Sequence, residues 1–329
     1  MANIGNLVDR TFREYLEPMD DLVSFTTLST GVNNSVQSIV FDGDLLSVEE
    51  EDALDKGTII EINQELMMCT DLNAVTNTIT VKRGVKGTTA AAHTAGDIIK
   101  ISPPYPRKNV FDAVCDQIKN LYPTLFAVET KSVSAKVGYI PLSGTSDNYL
   151  VAPISAISQM TDFSAGSDET GIIYQGVAVE LVDLPNPFTY TDADGNSQTI
   201  TYTNNGPNKV NALQVYGVSS GHTVFVTFKK KFIEPTAEDN TLAEIGLENE
   251  YEPIIMAGVA AQIIAGRDIP TATADYITDQ LSTSTFPVNS AANIRTSLLR
   301  YQNDLIEQAR KDLRARYPEP VALNKITYA

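Results

Sequence analysis

The sequence predicts an α+β fold in which a helical bundle carries a small antiparallel β unit and a β-sandwich or barrel-like insertion. Apolar residues recur at helical spacing near the start, in the middle and near the end of the chain. Short alternating segments, separated by Gly, Asn and Asp, fill the stretches between those helices. With 329 residues and 43% hydrophobic side chains, the chain can bury one large core or roughly two or three smaller ones.

The first half of the chain is predicted to run helix, β unit, helix. Residues 18–106 form the small β unit, with alternating segments at 36–41, 58–62, 66–70, 78–81 and 97–101. Residues 107–126 form the central helix, which Pro123 terminates. Residues 1–17 form the N-terminal helix of the bundle, and its apolar stripe comprises Ile4, Leu7, Val8, Phe12 and Tyr15.

The second half is predicted to run β domain, helices, arm. Residues 127–235 form a β-sandwich-like domain, because their apolar segments lie at the spacing of a sandwich or barrel. Asp194-Gly195-Asn196 predicts the turn of a hairpin between FTYT and QTITYT. Residues 236–317 form the C-terminal helices of the bundle, and residues 318–329 an extended C-terminal arm.

The helices are expected to share one core. No single helix can bury its apolar face alone, so we expect the N-terminal, central and C-terminal helices to form one bundle, with both β blocks as insertions. The small residues of the apolar run 254–265, Gly258 among them, suit a close helix approach or ordinary core packing. The expected bundle core comprises Leu7, Phe12, Val114, Ile118, Ile255, Val259, Ile263, Leu298, Tyr301 and Leu305.

The charge and the cysteines exclude several classes of function. The 24 Lys and Arg against 41 Asp and Glu give a net charge of −17, which repels phosphate and argues against sequence-specific DNA binding. The basic groupings are Lys229-Lys230-Lys231 and the end of the last helix. Cys69 and Cys115 lie in no CxxC, and no apolar run reaches the about 20 residues that a membrane span needs.

No cluster of residues predicts catalysis, a metal or a cofactor. His93 and His222 lack ligand partners at metal spacing, and His222 is predicted to be a turn residue before a strand. The segment 83–97 differs from a phosphate-binding Walker loop, because Lys86 precedes Gly87. The segment 191–196 has part of a calcium-loop pattern but lacks the closing glutamate, so a hairpin turn is the simpler interpretation.

One motif resembles a recurrent ribbon in the head, neck and tail proteins of tailed phages. The block GTIIEINQELMMCT (57–70) precedes TITVKRGVKGTTAAAHTAGDIIKI (78–101), which contains the pattern RGxxGTxAxxHxxG. In the ribbon we expect glycines to set the turns, and Arg83 and His93 to hold it by side-chain hydrogen bonds. The ribbon residues are Arg83, Gly84, Gly87, His93 and Gly96.

Four further stretches resemble head-to-tail connector, or adaptor, proteins of long-tailed phages. They are LVDRTFREYLEP (7–18), PPYPRKNVFDAVCDQIKNLYPTLF (103–126), YEPIIMAGVAAQIIAGRD (251–268) and LLRYQNDLIEQARKDLRARYP (298–318). Together these stretches and the ribbon cover about a third of the chain. The resemblance does not extend to residues 131–232.

The resemblance implies a virion structural protein without enzymatic activity, located in the neck and assembled in the host cytoplasm. It implies a homo-oligomeric ring, usually twelve-fold, that binds the portal protein on one side and a stopper or tail-completion protein on the other, away from any membrane. Genomic DNA passes through such a ring without specific binding, which suits an acidic wall. The candidate portal-docking arm comprises Tyr317, Pro318, Pro320, Val321, Leu323, Ile326 and Tyr328.

Two alternatives remain open at this point. The ribbon also suits another virion structural protein, such as a tail, baseplate or decoration subunit, with residues 131–232 as a host-binding module. The second alternative is a virion-associated hydrolase, which requires converging carboxylates or a metal.

Overall fold

The computed structural model describes residues 3–16, 25–42, 54–73, 75–135, 139–141, 150–162, 171–176, 178–185, 187–191, 197–200, 209–216, 222–265 and 291–317. It contains helices and antiparallel strands, in agreement with the α+β class. The chain packs into two compact units. The barrel unit comprises Met1–Ile118, Pro235–Thr241 and Asn249–Leu305, and the sheet unit comprises Lys119–Glu234, Leu242–Glu248 and Ile306–Ala329.

The described helices lie at both ends and in the middle of the chain. A π-helical turn at Phe12–Leu16 follows the first helix, and a 3-10 turn at Asn249–Tyr251 precedes the fourth. None of the described helices is long and apolar enough to cross a bilayer. The helices are α1 (Ile4–Thr11), α2 (Arg107–Leu121), α3 (Leu242–Ile245), α4 (Glu252–Ile264) and α5 (Ala291–Arg316).

A closed barrel of six antiparallel strands forms the β part of the barrel unit, in the order β1-β2-β5-β4-β3-β6, with β6 paired back to β1. Its strands are β1 (Phe25–Leu28), β2 (Ser38–Asp42), β3 (Ile59–Ile62), β4 (Glu65–Asn73), β5 (Thr78–Lys82) and β6 (Ile98–Ile101). Buried and exposed residues alternate along a strand of the barrel, which gives the strand one face toward the barrel core. In β5, Ile79 and Val81 are buried while Thr80 and Lys82 are exposed. The buried cluster also includes Leu28, Phe41, Ile60, Met67, Cys69 and Ile99.

Strand β1 is absent from the predicted segments, although it closes the barrel by pairing with both β2 and β6. The prediction relied on alternation of apolar and polar residues. The two adjacent threonines in the middle of β1, Thr26 and Thr27, interrupt that pattern. Leu28 carries the burial of this strand and is fully inaccessible.

Helix α1 begins where the side chain of Asn3 accepts a hydrogen bond from the Asn6 amide at 2.8 Å. The whole predicted stripe of this helix, from Ile4 to Tyr15, is buried. Helix α1 contacts α4, and α4 is buried on nearly every side. Helix α2 ends at Leu121, short of the predicted boundary at residue 126.

The sheet unit contains a four-stranded sheet in the order β10-β9-β15-β7, a three-stranded sheet in the order β11-β14-β8, and the hairpin β12-β13. The predicted hairpin is present, with Thr191 paired to Ser197, and its turn at 192–196 lies outside the described residues. The strands are β7 (Ala127–Ala135), β8 (Tyr139–Pro141), β9 (Leu150–Asp162), β10 (Gly171–Gly176), β11 (Ala178–Pro185), β12 (Phe188–Thr191), β13 (Ser197–Ile200), β14 (Lys209–Tyr216) and β15 (His222–Lys230).

Three details of this half differ from the sequence prediction. Strands β8 and β9 lie in a stretch where no strand was predicted. His222 is the first residue of β15, so its assignment to a turn is wrong. The segments 242–248 and 306–317 belong to the sheet unit, whereas the sequence grouped all of 236–317 with the bundle.

Candidate functional site

The ribbon motif surrounds one buried carboxylate, that of Glu65 at the start of β4. Its oxygens accept hydrogen bonds from Arg83 Nε and Nη2, both at 2.7 Å, and from the amides of Gly84 at 3.1 Å and Ala91 at 2.9 Å. His93 Nε2 lies 3.0 Å from the same carboxylate. The Glu65 side chain is 1% exposed, so its acceptor sites are occupied inside the protein and not by solvent.

Arg83 links Glu65 to two other parts of the barrel unit. Its Nη1 donates to the carbonyls of Asn33 at 3.0 Å and Val36 at 2.8 Å, and its Nη2 also donates to the carbonyl of Ala91. The planar guanidinium has enough donors to satisfy a carboxylate and several carbonyls together. Arg83 therefore holds the loops before β2 and after β5 against the start of β4.

The hydrogen bonds of this cluster favour the ionised form of Glu65. Burial alone raises the pKa of Glu65, but the hydrogen bonds from Arg83, Ala91 and His93 outweigh it, and the net effect lowers the pKa below its ordinary value. An ionised carboxylate only accepts, so His93 donates through Nε2–H. His93 Nδ1 then faces Asp97 Oδ2 at 3.8 Å.

The glycines of the ribbon set its turns. Gly84, Gly87 and Gly96 have φ angles of 63°, 84° and 89°, values that other residues adopt only with strain. At Gly84 a side chain would also lie 3.1 Å from the Thr88 carbonyl oxygen. Asp97 fastens the end of the ribbon, because it accepts from the Thr94 amide and from the Thr94 hydroxyl, both at 3.0 Å.

This arrangement holds the ribbon loop in place. Arg83, Glu65 and His93 have side chains 6%, 1% and 2% exposed. Their polar atoms bond to each other and to backbone groups, except for His93 Nδ1, which has no hydrogen-bond partner among the described residues. Within the described ranges, no three His, Cys, Asp or Glu side chains come together as metal ligands.

A second polar network lies at the start of α2. Arg107 donates through Nε and Nη2 to Glu238, at 2.9 Å and 2.6 Å, and pairs with Asp9 at 2.5 Å. Burial lowers the pKa of Arg107, but the bonds to these two acids more than compensate and raise it. The side chain of Gln64 also donates to Glu238, at 2.7 Å. A groove of about 560 Å³ runs past Arg107, Glu238 and the ribbon loop.

The helices of the barrel unit meet around a pair of glutamines. Gln302 of α5 donates through Nε2 to Gln117 Oε1 of α2 at 2.9 Å, and to the Ile254 carbonyl of α4 at 3.2 Å. Gly258 of α4 makes room for this pair, because a Cβ there would lie 2.2 Å from Gln302 Nε2 and 2.3 Å from Gln117 Oε1. Arg10 of α1 pairs with Glu252 at the start of α4.

The residues predicted for the bundle core divide into two groups. Ile263, Tyr301 and Leu305 are only half-buried, so their assignment to the core of the single chain is wrong. On α5 the buried residues Ile294, Leu298 and Gln302 follow four-residue steps. Tyr301 and Leu305, three and seven residues after Leu298, continue the same face but remain partly exposed. The buried group comprises Leu7, Phe12, Val114, Ile118, Ile255, Val259 and Leu298.

The candidate portal-docking arm begins where the described residues end. Tyr317 is half-buried, and its amide donates to the Leu313 carbonyl at 2.9 Å. The remaining arm residues, Pro318, Pro320, Val321, Leu323, Ile326 and Tyr328, lie outside the described residues.

The sequence did not reveal Glu65, Gln117 or Gln302 as partners. An acid that opens a strand normally faces solvent, and a single glutamine on a helix is uninformative. The available signal for Glu65 was the pair Arg83-Gly84 directly after β5, because a buried arginine needs a hydrogen-bond acceptor. A comparison of the sequence with family models finds no match, and a comparison with curated proteins finds no match either.

Proposed function

We propose that this chain is a non-enzymatic structural subunit of a tailed-phage neck. In this proposal, copies form a ring that joins the portal of the DNA-filled head to the stopper or tail, with an acidic channel for DNA. The observation that carries the proposal is an apolar helical surface that the described residues of the single chain leave partly uncovered. The resemblance of the ribbon and of the helical stretches to connector proteins supports the same assignment.

The uncovered surface lies on α4 and on the part of α5 that belongs to the barrel unit. Ile263, Tyr301 and Leu305 are half-buried. Tyr301 and Leu305 are four residues apart and share one side of α5. Apolar and aromatic side chains next to a packed stripe are typical of a surface that a second copy covers.

The proposal includes a helical bundle and a β-sandwich. Helices α1, α2, α4 and α5 form one bundle, supported by the Gln302 bonds to Gln117 and Ile254 and by the ion pair of Arg10 with Glu252. The four-stranded and three-stranded sheets form a sandwich, supported by the contact of β11 with β9. Neither β part carries the ring contacts in this proposal.

The charge of the chain suits a DNA passage. A net charge of −17 per copy gives a ring a strongly negative surface, which repels phosphate over about 8–10 Å at physiological salt. DNA then slides without a bound state that would hold it.

Ring formation is tested by light scattering and electron microscopy of the purified chain with and without its portal. Leu305→Asp introduces a carboxylate into the uncovered surface, and we expect it to leave folded single subunits that form no rings. Asn303→Asp, at an exposed position of the same helix, is the matched control and is expected to keep the rings. Rings of Leu305→Asp equal to those of the control contradict the proposed surface.

The docking role of the arm is tested separately by deleting residues 321–329. We expect rings to form but heads and tails to remain unjoined, as seen by electron microscopy of infected-cell lysates. Normal infectious particles from the truncated gene contradict the docking role.

A further inference from the structure

The sheet unit contains a basic pocket that the proposed function does not use. Its volume is about 270 Å³. Lys229 of β15 and Arg310 and Arg314 of α5 supply its charge, and no acidic residue is among the described residues that line it. Its apolar walls include Phe126, Leu313 and Tyr317.

The cations of this pocket come from two separate basic groupings of the sequence. Lys229 belongs to Lys229-Lys230-Lys231, of which Lys230 pairs with Glu129, and Arg310 and Arg314 belong to the C-terminal end of α5. The net charge of −17 disfavours anion binding by the chain as a whole, but the described lining of this pocket combines local cations with an apolar floor.

The cations are arranged around aromatic and aliphatic groups. Lys229 Nζ lies 4.9 Å from the centre of the Phe126 ring, which orients the ammonium over the pocket wall. Leu313 is 3% exposed and forms the floor. Arg310 has a 3.2 Å pair with Glu307, whose side chain is 58% exposed, and such surface pairs are weak. Arg314 is exposed and makes no ion pair within the described part of the chain.

We propose that this pocket binds an acidic peptide segment of a partner protein. Carboxylates of the segment pair with Arg310 and Arg314 through the two-pronged geometry that guanidinium groups form with carboxylates, while a flanking apolar side chain lies on Leu313 and Phe126. Lys229 adds charge at the wall.

A nucleic acid fits the pocket less well. A phosphate backbone extends far beyond 270 Å³ and meets the negative field of the rest of the chain, whereas a few carboxylates meet only the local cations. The inference stands without the proposed function, because it concerns only the lining of this pocket.

The test is fluorescence anisotropy of the full-length chain with a labelled peptide of sequence LEELED and with its neutral form LQQLQN. We expect the acidic peptide to bind in a salt-dependent manner and the neutral peptide not to bind. Arg310→Gln with Arg314→Gln is expected to weaken binding by about tenfold or more. Arg295→Gln with Arg300→Gln, at exposed positions of the same helix, removes the same charge and is expected to leave binding unchanged.

Lys229→Met is the second variant, with Lys82→Met at an exposed barrel position as its control. Circular dichroism verifies that each variant is folded. If the arginine variant unfolds, the comparison of Lys229→Met with Lys82→Met tests the proposal instead. Failure of the acidic peptide to bind, equal binding of the neutral peptide, or equal losses in variants and controls would overturn the proposal. Tighter, pocket-dependent binding of an oligothymidine would replace the peptide by a nucleic acid and overturn it too.

Discussion

Replacement of Gly258 by alanine tests the packing of the helices directly. Gly258 lies inside α4, where alanine is ordinarily more favourable than glycine by about 1 kcal/mol. In this protein the added Cβ would lie 2.2 Å from Gln302 Nε2 and 2.3 Å from Gln117 Oε1. Both glutamine amides have to move, which breaks the bond between them and the bond from Gln302 to the Ile254 carbonyl.

The size of the effect follows from burial. Gln302 is 8% exposed, so a displaced amide finds little water, and an unsatisfied buried polar group costs about 1–3 kcal/mol. With two hydrogen bonds lost and the helix preference of alanine gained, we expect Gly258→Ala to lower the free energy of unfolding by about 1–3 kcal/mol. Because the chain has no tryptophan, urea unfolding is followed by far-ultraviolet circular dichroism.

The control is the same substitution in a chain that already carries Gln117→Ala and Gln302→Ala. There the Cβ meets no amide, so only helix preference remains, and we expect Gly258→Ala to raise the free energy of unfolding by up to about 1 kcal/mol. A change of sign between the two backgrounds is the signature of the glutamine contact. The same destabilisation in both backgrounds would refute the reasoning, and so would a stabilised Gly258→Ala in the natural chain.

Three other predictions concern the barrel and the last helix. Glu65→Gln leaves the Arg83 charge buried without its partner, and we expect a loss of about 3–5 kcal/mol in urea unfolding, against at most about 1 kcal/mol for the surface change Glu14→Gln. Folding lowers the pKa of Glu65, so the ionised carboxylate stabilises the folded protein fully above the ordinary glutamate pKa. This contribution is lost as the pH falls through the lower pKa that Glu65 has in the folded protein. Melting curves in acid should therefore decline more steeply for the natural chain than for Glu65→Gln, and parallel declines would contradict this. Leu298→Ala is expected to cost about 2–5 kcal/mol and Leu305→Ala clearly less in the isolated subunit; equal melting temperatures would contradict the observed difference in burial.

The elements with a clear apolar period could be predicted from the sequence. The stripe from Ile4 to Tyr15 is buried as expected, because polar residues on the other face of α1 fix which side turns inward. The alternation of Ile79 and Val81 likewise identifies a strand with one buried face.

The phase of α4 could not be predicted, because the helix is apolar nearly all round and has no polar face to orient it. Ile263 was assigned to the core, but Ile264 is the fully buried neighbour. One residue is a rotation of about 100° on a helix, which exchanges a core position for a flanking one.

The polar contacts could not be predicted because their partners are distant in the sequence. Glu65 meets Arg83 and His93 only after β4 and β5 have paired and the ribbon has folded back. Gln117 and Gln302 meet across 185 positions of the chain. Residue type alone does not distinguish such groups from solvated surface residues.

Closure of the barrel also limits how copies of this chain can associate at high concentration. Each of its strands has a neighbour on both sides, so the barrel offers no row of idle amides and carbonyls to which another molecule could add a strand. Crowded subunits therefore cannot form fibres by adding strands to this barrel, and association through the barrel must come from its side chains instead.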